Sequence, residues 1–483
     1  MPHGLEGGKR WIALIVLCTG VLMIVLDSTI VNVALPSIRA DLAFSETSLV
    51  WVVNAYLLTY GGFLLLGGRL GDLFGQRRLL LLGLVAFTVA SLACGLARSQ
   101  VTLICARAVQ GLGGAVVSSS ALSLIMNLFP EPDERTKAMG IYGFVCSSGG
   151  IIGVLLGGVL TSAFSWHWIF LVNLPIGGLV YGLCLILIPR SAPAGRTGRL
   201  DIAGAVTVTT SLMLAVYAIV NGNQVGWMSG QSVGLIGAAA VLLALFLLIE
   251  SRVRAPLMPL RLFRSRSIST ANIIAVLWAA AVFAWFFLCA LYLQRVLGYD
   301  AIWVSLAFLP ANVLSAVMSL GFSARLVMRF GIRIPLALGL MLPATGLALF
   351  AFAPTGGSFA LNVMPGMILV GLGAGVAFNP LLLAAMSDVP PSESGLASGV
   401  VNTSFMMGGA LGLAILASAA AARTGSLIAQ GVDQVAALNG GFHVAFGVGA
   451  LSAVLAAVLG MTLPEAREAL AADTQIPETC AEQ

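Results

Sequence analysis

Fourteen apolar runs, each long enough to cross a bilayer as a helix, dictate what this chain can fold into. A spanning helix needs about 20 predominantly apolar residues. Runs of that length occur at roughly 11–35, 49–68, 79–97, 101–129, 138–163, 168–189, 202–221, 231–249, 268–293, 303–327, 334–353, 359–386, 394–422 and 442–463. Only 190–201, 251–267 and the tail 464–483 are sizeable polar stretches. Of the 483 residues 59% are hydrophobic and 9% charged, whereas a water-soluble domain carries about 25% charged residues. The expected fold class is an all-α polytopic membrane protein with 14 transmembrane helices. A soluble enzyme, a nucleic-acid binder and a disordered chain are excluded.

The charges that remain set the topology. Counted over alternate segments, 19 Lys and Arg residues fall on one side and four (Arg39, Arg98, Arg295, Arg423) on the other, with Arg107 inside a span. Positive residues accumulate on the cytoplasmic side, so both termini are expected in the cytoplasm of a plasma (inner) membrane protein. The net charge of +5 is then topology rather than affinity for polyanions. The N-terminus has the order of a signal peptide, but its apolar run continues to Pro36 without a small-residue cleavage site, which predicts a retained first span.

Two halves of the chain echo each other. Arg69-Leu70, Phe74-Gly75 and Arg77 recur 256 positions later as Arg325-Leu326, Phe330-Gly331 and Arg333. Ala138, Gly140, Gly149, Gly150 and Gly153 recur about 259 positions later as Ala397, Gly399, Gly408, Gly409 and Gly412. In both cases the offset is eight helices, which two six-helix pseudo-repeats separated by two inserted central helices explain. The expected domains are 1–189 (first bundle), 190–267 (inserted helices and cytoplasmic linkers), 268–463 (second bundle) and 464–483 (cytoplasmic tail). Repeated halves around a midplane site are the build of alternating-access transporters.

Asp27 and Arg107 are ionisable residues well inside spans, where charge is costly and by default functional. Asp27 lies eight residues before Leu35 and Arg107 six residues after Val101. At 1.5 Å per residue these are depths of about 12 and 9 Å below the same end, so the two can interact; a static ion pair stapling two helices is the alternative. The loop Gly68-Arg69-Leu70-Gly71-Asp72-Leu73-Phe74-Gly75-Gln76-Arg77-Arg78 offers a tight turn and a carboxylate able to cap a helix or bind Arg77 or Arg78. Such a contact can latch one of two packings, or the loop can serve only as a positive topological anchor.

Other patterns carry no chemistry. The glycine clusters Gly111–Gly114 and Gly371–Gly375 lie inside spans with no preceding strand, so they read as close helix packing and not as a dinucleotide loop. No phosphate-binding GxxxxGK[ST] motif occurs. The seven cysteines show neither a disulfide framework nor metal-ligand spacing. His3, His167 and His443 are scattered. No enzyme, metal or cofactor is expected.

The loop at 68–78 resembles motif A of the major facilitator superfamily. Leu26-Asp27-Ser28-Thr29-Ile30-Val31-Asn32-Val33-Ala34-Leu35-Pro36 is similar to the first-span signature of its fourteen-span drug:proton antiporters, the QacA/EmrB-type branch. Arg107-Ala-Val-Gln110-Gly111-Leu-Gly113-Gly114 is similar to motif B. Trp166–Pro175, Pro256–Phe263 and Gly395–Asn402 extend the resemblance over essentially the whole chain. Departures are Val154 where the span-five signature has Pro, His167 where Arg is usual, and Phe405-Met406 in place of a polar pair.

Span nine carries Trp278, Val282, Trp285 and Cys289 at helical spacing, with Phe283, Phe286 and Phe287 beside them. Buried amides need partners or water. The candidates for a substrate cavity are therefore Asn54, Gln110, Asn173, Trp285, Phe286, Asn312, Asn379, Asn402 and Met406. No Asp or Glu lies deep in spans nine to fourteen, which favours neutral or singly charged amphipathic substrates. The resemblance implies proton-coupled efflux of such molecules by a monomer, with the proton as coupling ion, Asp27 and Arg107 as coupling residues, and Gly68, Arg69, Gly71, Asp72, Gly75, Arg77 and Arg78 as the latch. Proton-coupled or facilitative uptake of a metabolite, and a membrane receptor or scaffold that binds without transporting, are the alternatives.

Overall fold

The computed structural model describes residues 7–188, 201–253, 256–387, 389 and 394–463; the tail 464–483 and most of the linker 190–201 lie outside them. Fourteen helices are long and apolar enough to cross a membrane. They are α1 Gly7–Leu42, α2 Val50–Phe74, α3 Gln76–Gly95, α4 Gln100–Leu128, α5 Pro132–Ala163, α6 Trp168–Leu187, α7 Ile202–Val225, α8 Gly230–Arg252, α9 Arg266–Arg295, α10 Ala301–Phe330, α11 Arg333–Phe350, α12 Phe359–Met386, α13 Ser394–Ala429 and α14 Gln434–Met461. No strand occurs among the described residues, as expected where lipid offers backbone groups no partner outside the helix. Side chains close several helix starts: Ser99 accepts from Thr102 N, Asp201 from Gly204 N, and Asp300 from Trp303 N. Three spans are irregular, α12 among them, which opens on a π-turn at Phe359–Val363. A turn at Val172 breaks α6 into Trp168–Leu171 and Asn173–Leu187, and a π-turn at Met318–Phe322 interrupts α10.

The internal repeat governs the packing. α1 packs on α4, α5 and α6, and α9 packs in the same way on α12, α13 and α14. Likewise α2 and α3 flank α4 as α10 and α11 flank α12. The repeated glycines let these helices touch. A Cβ on Gly153 would come within 2.9 Å of the Leu26 carbonyl oxygen of α1, and one on Gly412 within 2.1 Å of the Ala280 Cβ of α9. Two seams join the halves, α2 against α13 and α5 against α10. At the second, Ser305 Oγ donates to the Val154 carbonyl at 2.7 Å, so the residue standing where Pro is expected supplies a bond between halves.

The inserted helices break the symmetry. α7 packs on both α2 and α13, over the first seam, and α8 packs on α7. Asn223 Nδ2 donates to the Ser418 carbonyl at 2.7 Å and to its Oγ at 2.9 Å. Ser211 Oγ donates to the Ala239 carbonyl of α8 at 2.7 Å.

The halves close at one end and part at the other. At the arginine-poor end Arg295 of α9 pairs with Glu46 between α1 and α2, Gln294 Nε2 donates to the Val33 carbonyl at 3.0 Å, and Asn54 Nδ2 donates to the Ala410 carbonyl at 2.9 Å. At the arginine-rich end a cavity of about 680 Å³ lies between the halves. Tyr60, Ser118, Ser119, Tyr142, Asn402 and Met406 line its depth, while Gly68, Arg69, Leu257, Pro259 and Arg261 line it toward the loops.

Candidate functional site

Asp27 lies fully buried in the middle of α1, and Arg107 of α4 is 1% exposed. The depths read from the two spans match: Arg107 Nη1 donates to Asp27 Oδ2 at 2.6 Å. Gln110, one turn along α4, donates from Nε2 to Asp27 Oδ1 at 2.7 Å, and Asn173 Nδ2 of α6 donates to the same oxygen at 2.8 Å. Gln110 also accepts from Arg107 Nη1 at 2.8 Å and donates to Ser91 Oγ of α3 at 2.7 Å. Arg107 Nε donates to the Val52 carbonyl of α2 at 2.9 Å. The carboxylate thus collects three donors from two helices, and its cation is anchored on a third. Taking either charge away leaves the other buried and uncompensated, which costs about 3–5 kcal/mol.

Every member of this cluster belongs to the first half. It meets the cavity through two tyrosines. The Arg107 guanidinium carbon lies 4.3 Å from the Tyr56 ring centroid, a cation–π contact. Tyr56 stacks on Tyr60 with centroids 5.8 Å apart, and Tyr60 lines the cavity. Sequence reasoning missed both tyrosines and Ser91. Tyr56 and Tyr60 sit one turn apart on α2, so their spacing was visible, but nothing marked that face as the one below Arg107.

The structure places the cavity candidates in several different surroundings. Asn402 and Met406 line the cavity. Gln110 and Asn173 belong to the Asp27 cluster, and Asn54 reaches the Ala410 carbonyl at the closed end. Asn312 donates to the Phe308 carbonyl at 3.1 Å and Asn379 to the Ser319 carbonyl at 3.4 Å. Trp285 and Phe286 pack on each other and on Phe308, with centroids 4.6 to 5.5 Å apart. Phe405 joins Trp278, Phe283 and Phe378 in a second ring cluster. The placements away from the cavity share a cause: in an apolar span an amide takes the nearest acceptor and a ring takes the nearest ring. The cavity draws its polarity from Asn402, from serine hydroxyls of α4 and from Tyr60 and Tyr142, with Arg69 and Arg261 toward the loops.

The loop between α2 and α3 turns at Gly75, whose φ of 92° suits glycine, and Gly75 N donates to the Gly71 carbonyl at 3.0 Å. A Cβ on Gly71 would strike the Gln76 side chain. Arg77 Nη2 donates to the Leu185 carbonyl at the end of α6 at 2.7 Å, and Arg78 is exposed. Gly68 and Arg69 line the cavity. The side chain of Asp72 lies outside the described residues. Gly331, the repeat partner of Gly75, turns at φ 74°.

Comparison with known proteins agrees with this architecture. The chain is 38% identical over 474 residues to a puromycin resistance protein of Streptomyces alboniger, covering 96% of this chain and 93% of that one. It is 40% identical over 410 residues to a cephamycin export protein of Amycolatopsis lactamdurans, covering 84% of each. A lincomycin resistance protein of Streptomyces lincolnensis is 36% identical over 414 residues, 85% of this chain and 84% of that one. In fold it is similar to a bacterial homologue of the human lysosomal transporter Spinster, solved inward-facing and unoccupied, with a TM-score of 0.68 at 17% identity over 97% of this chain and 99% of that one. The family described as Major Facilitator Superfamily matches residues 17–413. With its fourteen spans, repeated halves and no enzymatic role, this chain belongs to the Major Facilitator Superfamily of membrane transporters.

Proposed function

We propose that the protein exports hydrophobic or amphipathic small molecules, antibiotics among them, from the cytoplasm in exchange for protons. The relatives named for puromycin, cephamycin and lincomycin support the substrate class and the direction. The positive-inside bias supports a plasma membrane location with both termini and the cavity on the cytoplasmic side. The proton is the only coupling ion, and the monomer is the working unit. The observation that carries the reading is the buried Asp27–Arg107 pair, sealed within one half and linked through Tyr56 and Tyr60 to the cavity.

Protonation of Asp27 cancels its attraction for Arg107. The guanidinium keeps the Val52 carbonyl and the Tyr56 ring, so the bond that weakens is the one between α1 and α4. α1 also touches α9 and α10 of the other half, so loosening it bears on how bundles 1–189 and 268–463 meet. Substrate against Tyr60 shifts the stacked rings beneath Arg107 and alters its hold on Asp27, and by linkage the proton alters substrate affinity equally. The loop at 68–78 fixes the packing at the cavity end through Arg77, with Asp72 as the charge that a latch needs, and it must release as the halves rock.

The test is reconstituted vesicles with an imposed pH gradient and a pH-sensitive dye. Uphill substrate movement driven by the gradient, with proton movement on substrate addition, is expected. Substrate flux indifferent to the gradient would replace exchange by facilitated diffusion, and flux with the proton would make the protein an uptake transporter.

A further inference from the structure

Two more carboxyl groups are buried, outside the coupling cluster. Asp201 starts α7 and Glu250 ends α8, so the inserted hairpin brings its two feet together; each is 3% exposed. Asp201 Oδ1 accepts from Gly204 N at 2.7 Å. Glu250 Oε2 accepts from Met258 N at 3.3 Å, in the segment leading to α9. The carboxyl of Asp201 lies beside that of Glu250 at the feet of the packed hairpin. The oxygens left over, Asp201 Oδ2 and Glu250 Oε1, are buried and have no donor. Ionised carboxylates are acceptors only, so a bond between two of them requires a hydrogen. Two anions sharing a buried site cannot both stay ionised.

We propose that Asp201 and Glu250 share one proton between Oδ2 and Oε1, forming a second proton-binding site in the inserted hairpin. Among the described residues, the elements packed around it carry the cations Arg69 on α2, Arg252 on α8 and Arg261 after Pro259. The site is coupled to the cavity by a short path. Glu250 holds Met258, while Leu257 packs on Leu66 and Ala205 and lines the cavity with Pro256 and Pro259. When the proton leaves to cavity water, two adjacent anions remain. They separate and hydrate, Met258 loses its anchor, and the cavity wall at 256–259 loosens. The hairpin therefore reports proton activity on the cavity side to the shape of the cavity. This does not depend on the direction of transport or on Asp27.

Infrared titration of the full chain in lipid nanodiscs tests the site, with Asp27→Asn in every sample so that this carboxyl is silent. At neutral pH one protonated-carboxyl stretch is expected. It disappears in Glu250→Gln, whose amide donates to Asp201, and in Asp201→Asn, whose side chain keeps the helix cap. A proton bound in the folded chain and released from the unfolded one makes stability depend on pH. The melting temperature of the Asp27→Asn parent should fall as pH rises through the range in which the stretch is lost, and that of Glu250→Gln should stay flat. A stretch that survives in both folded variants overturns the proposal. So does a parent protein with no such stretch, or one stabilised at this site by sodium or magnesium instead.

Discussion

Glu46 stands between two arginines of different halves: Arg295, at the end of α9, pairs with it directly, and Arg39, at the end of α1, lies 3.5 Å away. This clasp closes the arginine-poor end, and it must part before that end opens. All three side chains are partly exposed, so the clasp is worth about 1 kcal/mol or less. That is enough to shift a two-state population by about fivefold. Glu46→Gln should raise the modification rate of a cysteine placed at Asn54 by up to that factor, with little change in melting temperature. An unchanged rate would remove the clasp from the gate.

Asp27→Asn keeps the volume and deletes the titrating group. The variant should fold, reach the membrane and exchange substrate down its gradient, yet neither export uphill nor release protons when substrate is added. Both Asp27→Asn and Asp27→Ala leave Arg107 without its counter-ion, at a cost of about 3–5 kcal/mol, and Asp27→Ala, which also removes the oxygen that faces Arg107 Nη1, should be the less stable of the two. Uphill export by Asp27→Asn at the normal rate, read with the vesicle dye assay, would place coupling elsewhere.

Tyr56 separates two roles in one side chain. Its ring carries Arg107, while its hydroxyl is buried with no partner. Tyr56→Phe should therefore transport nearly as the parent does. Tyr56→Leu removes a cation–π contact worth about 0.5–2 kcal/mol and should cut substrate-triggered proton release severalfold. Substrate affinity, measured by equilibrium binding, should change less than the proton signal.

The loop at 68–78 tests as a latch through two residues. Arg77→Ala loses the bond to the Leu185 carbonyl and should cost about 1 kcal/mol at this partly exposed site. Asp72→Asn keeps shape and removes charge. Expression of Asp72→Asn should be normal and export should fall sharply. Normal export at normal expression would reduce the loop to a topological anchor.

Orientation is checked by labelling whole cells with an impermeant thiol reagent. Cysteines at Arg199 and Arg264 should be protected and one at Arg423 should react. The reverse pattern would turn the cavity to the outside and exchange export for uptake.

What the sequence disclosed follows from what lipid forbids. Apolar length and the eight-helix offset of the repeats were sufficient for the fourteen helices and their paired packing, because a continuous apolar run of about 20 residues satisfies its backbone groups in a bilayer as a helix. Asp27 and Arg107 stood out because a charge amid Leu and Val has few neighbours to pair with, and depth alone brought them together. The cavity walls were less legible. Asn54 and Asn173 are amides like Asn402, and only the direction each helix faces separates a gate bond, a coupling partner and a cavity wall. Asp201 and Glu250 escaped notice because they sit at helix ends, where a carboxylate ordinarily meets water; only the folded hairpin buries them against each other. Val154 stood out only as a departure at a Pro position, whereas the structure has its backbone carbonyl accept from Ser305 across the seam, a contact that no side-chain type announces.

α7 makes the two seams mechanically unequal. Where α5 meets α10, the described residues join the halves through small residues and one hydroxyl bond from Ser305. Where α2 meets α13, a third helix lies across the joint, tied to α13 at Ser418 and pressed by Thr209 into the gap left by Gly62. A rotation of one half on the other therefore meets more resistance at the strapped edge. Its axis is displaced toward α7, and the wider swing falls at the opposite edge. A transporter of this build opens like a lid hinged along one side, and lipid flanking α5 and α10 must yield on every cycle while lipid flanking α8 stays at rest.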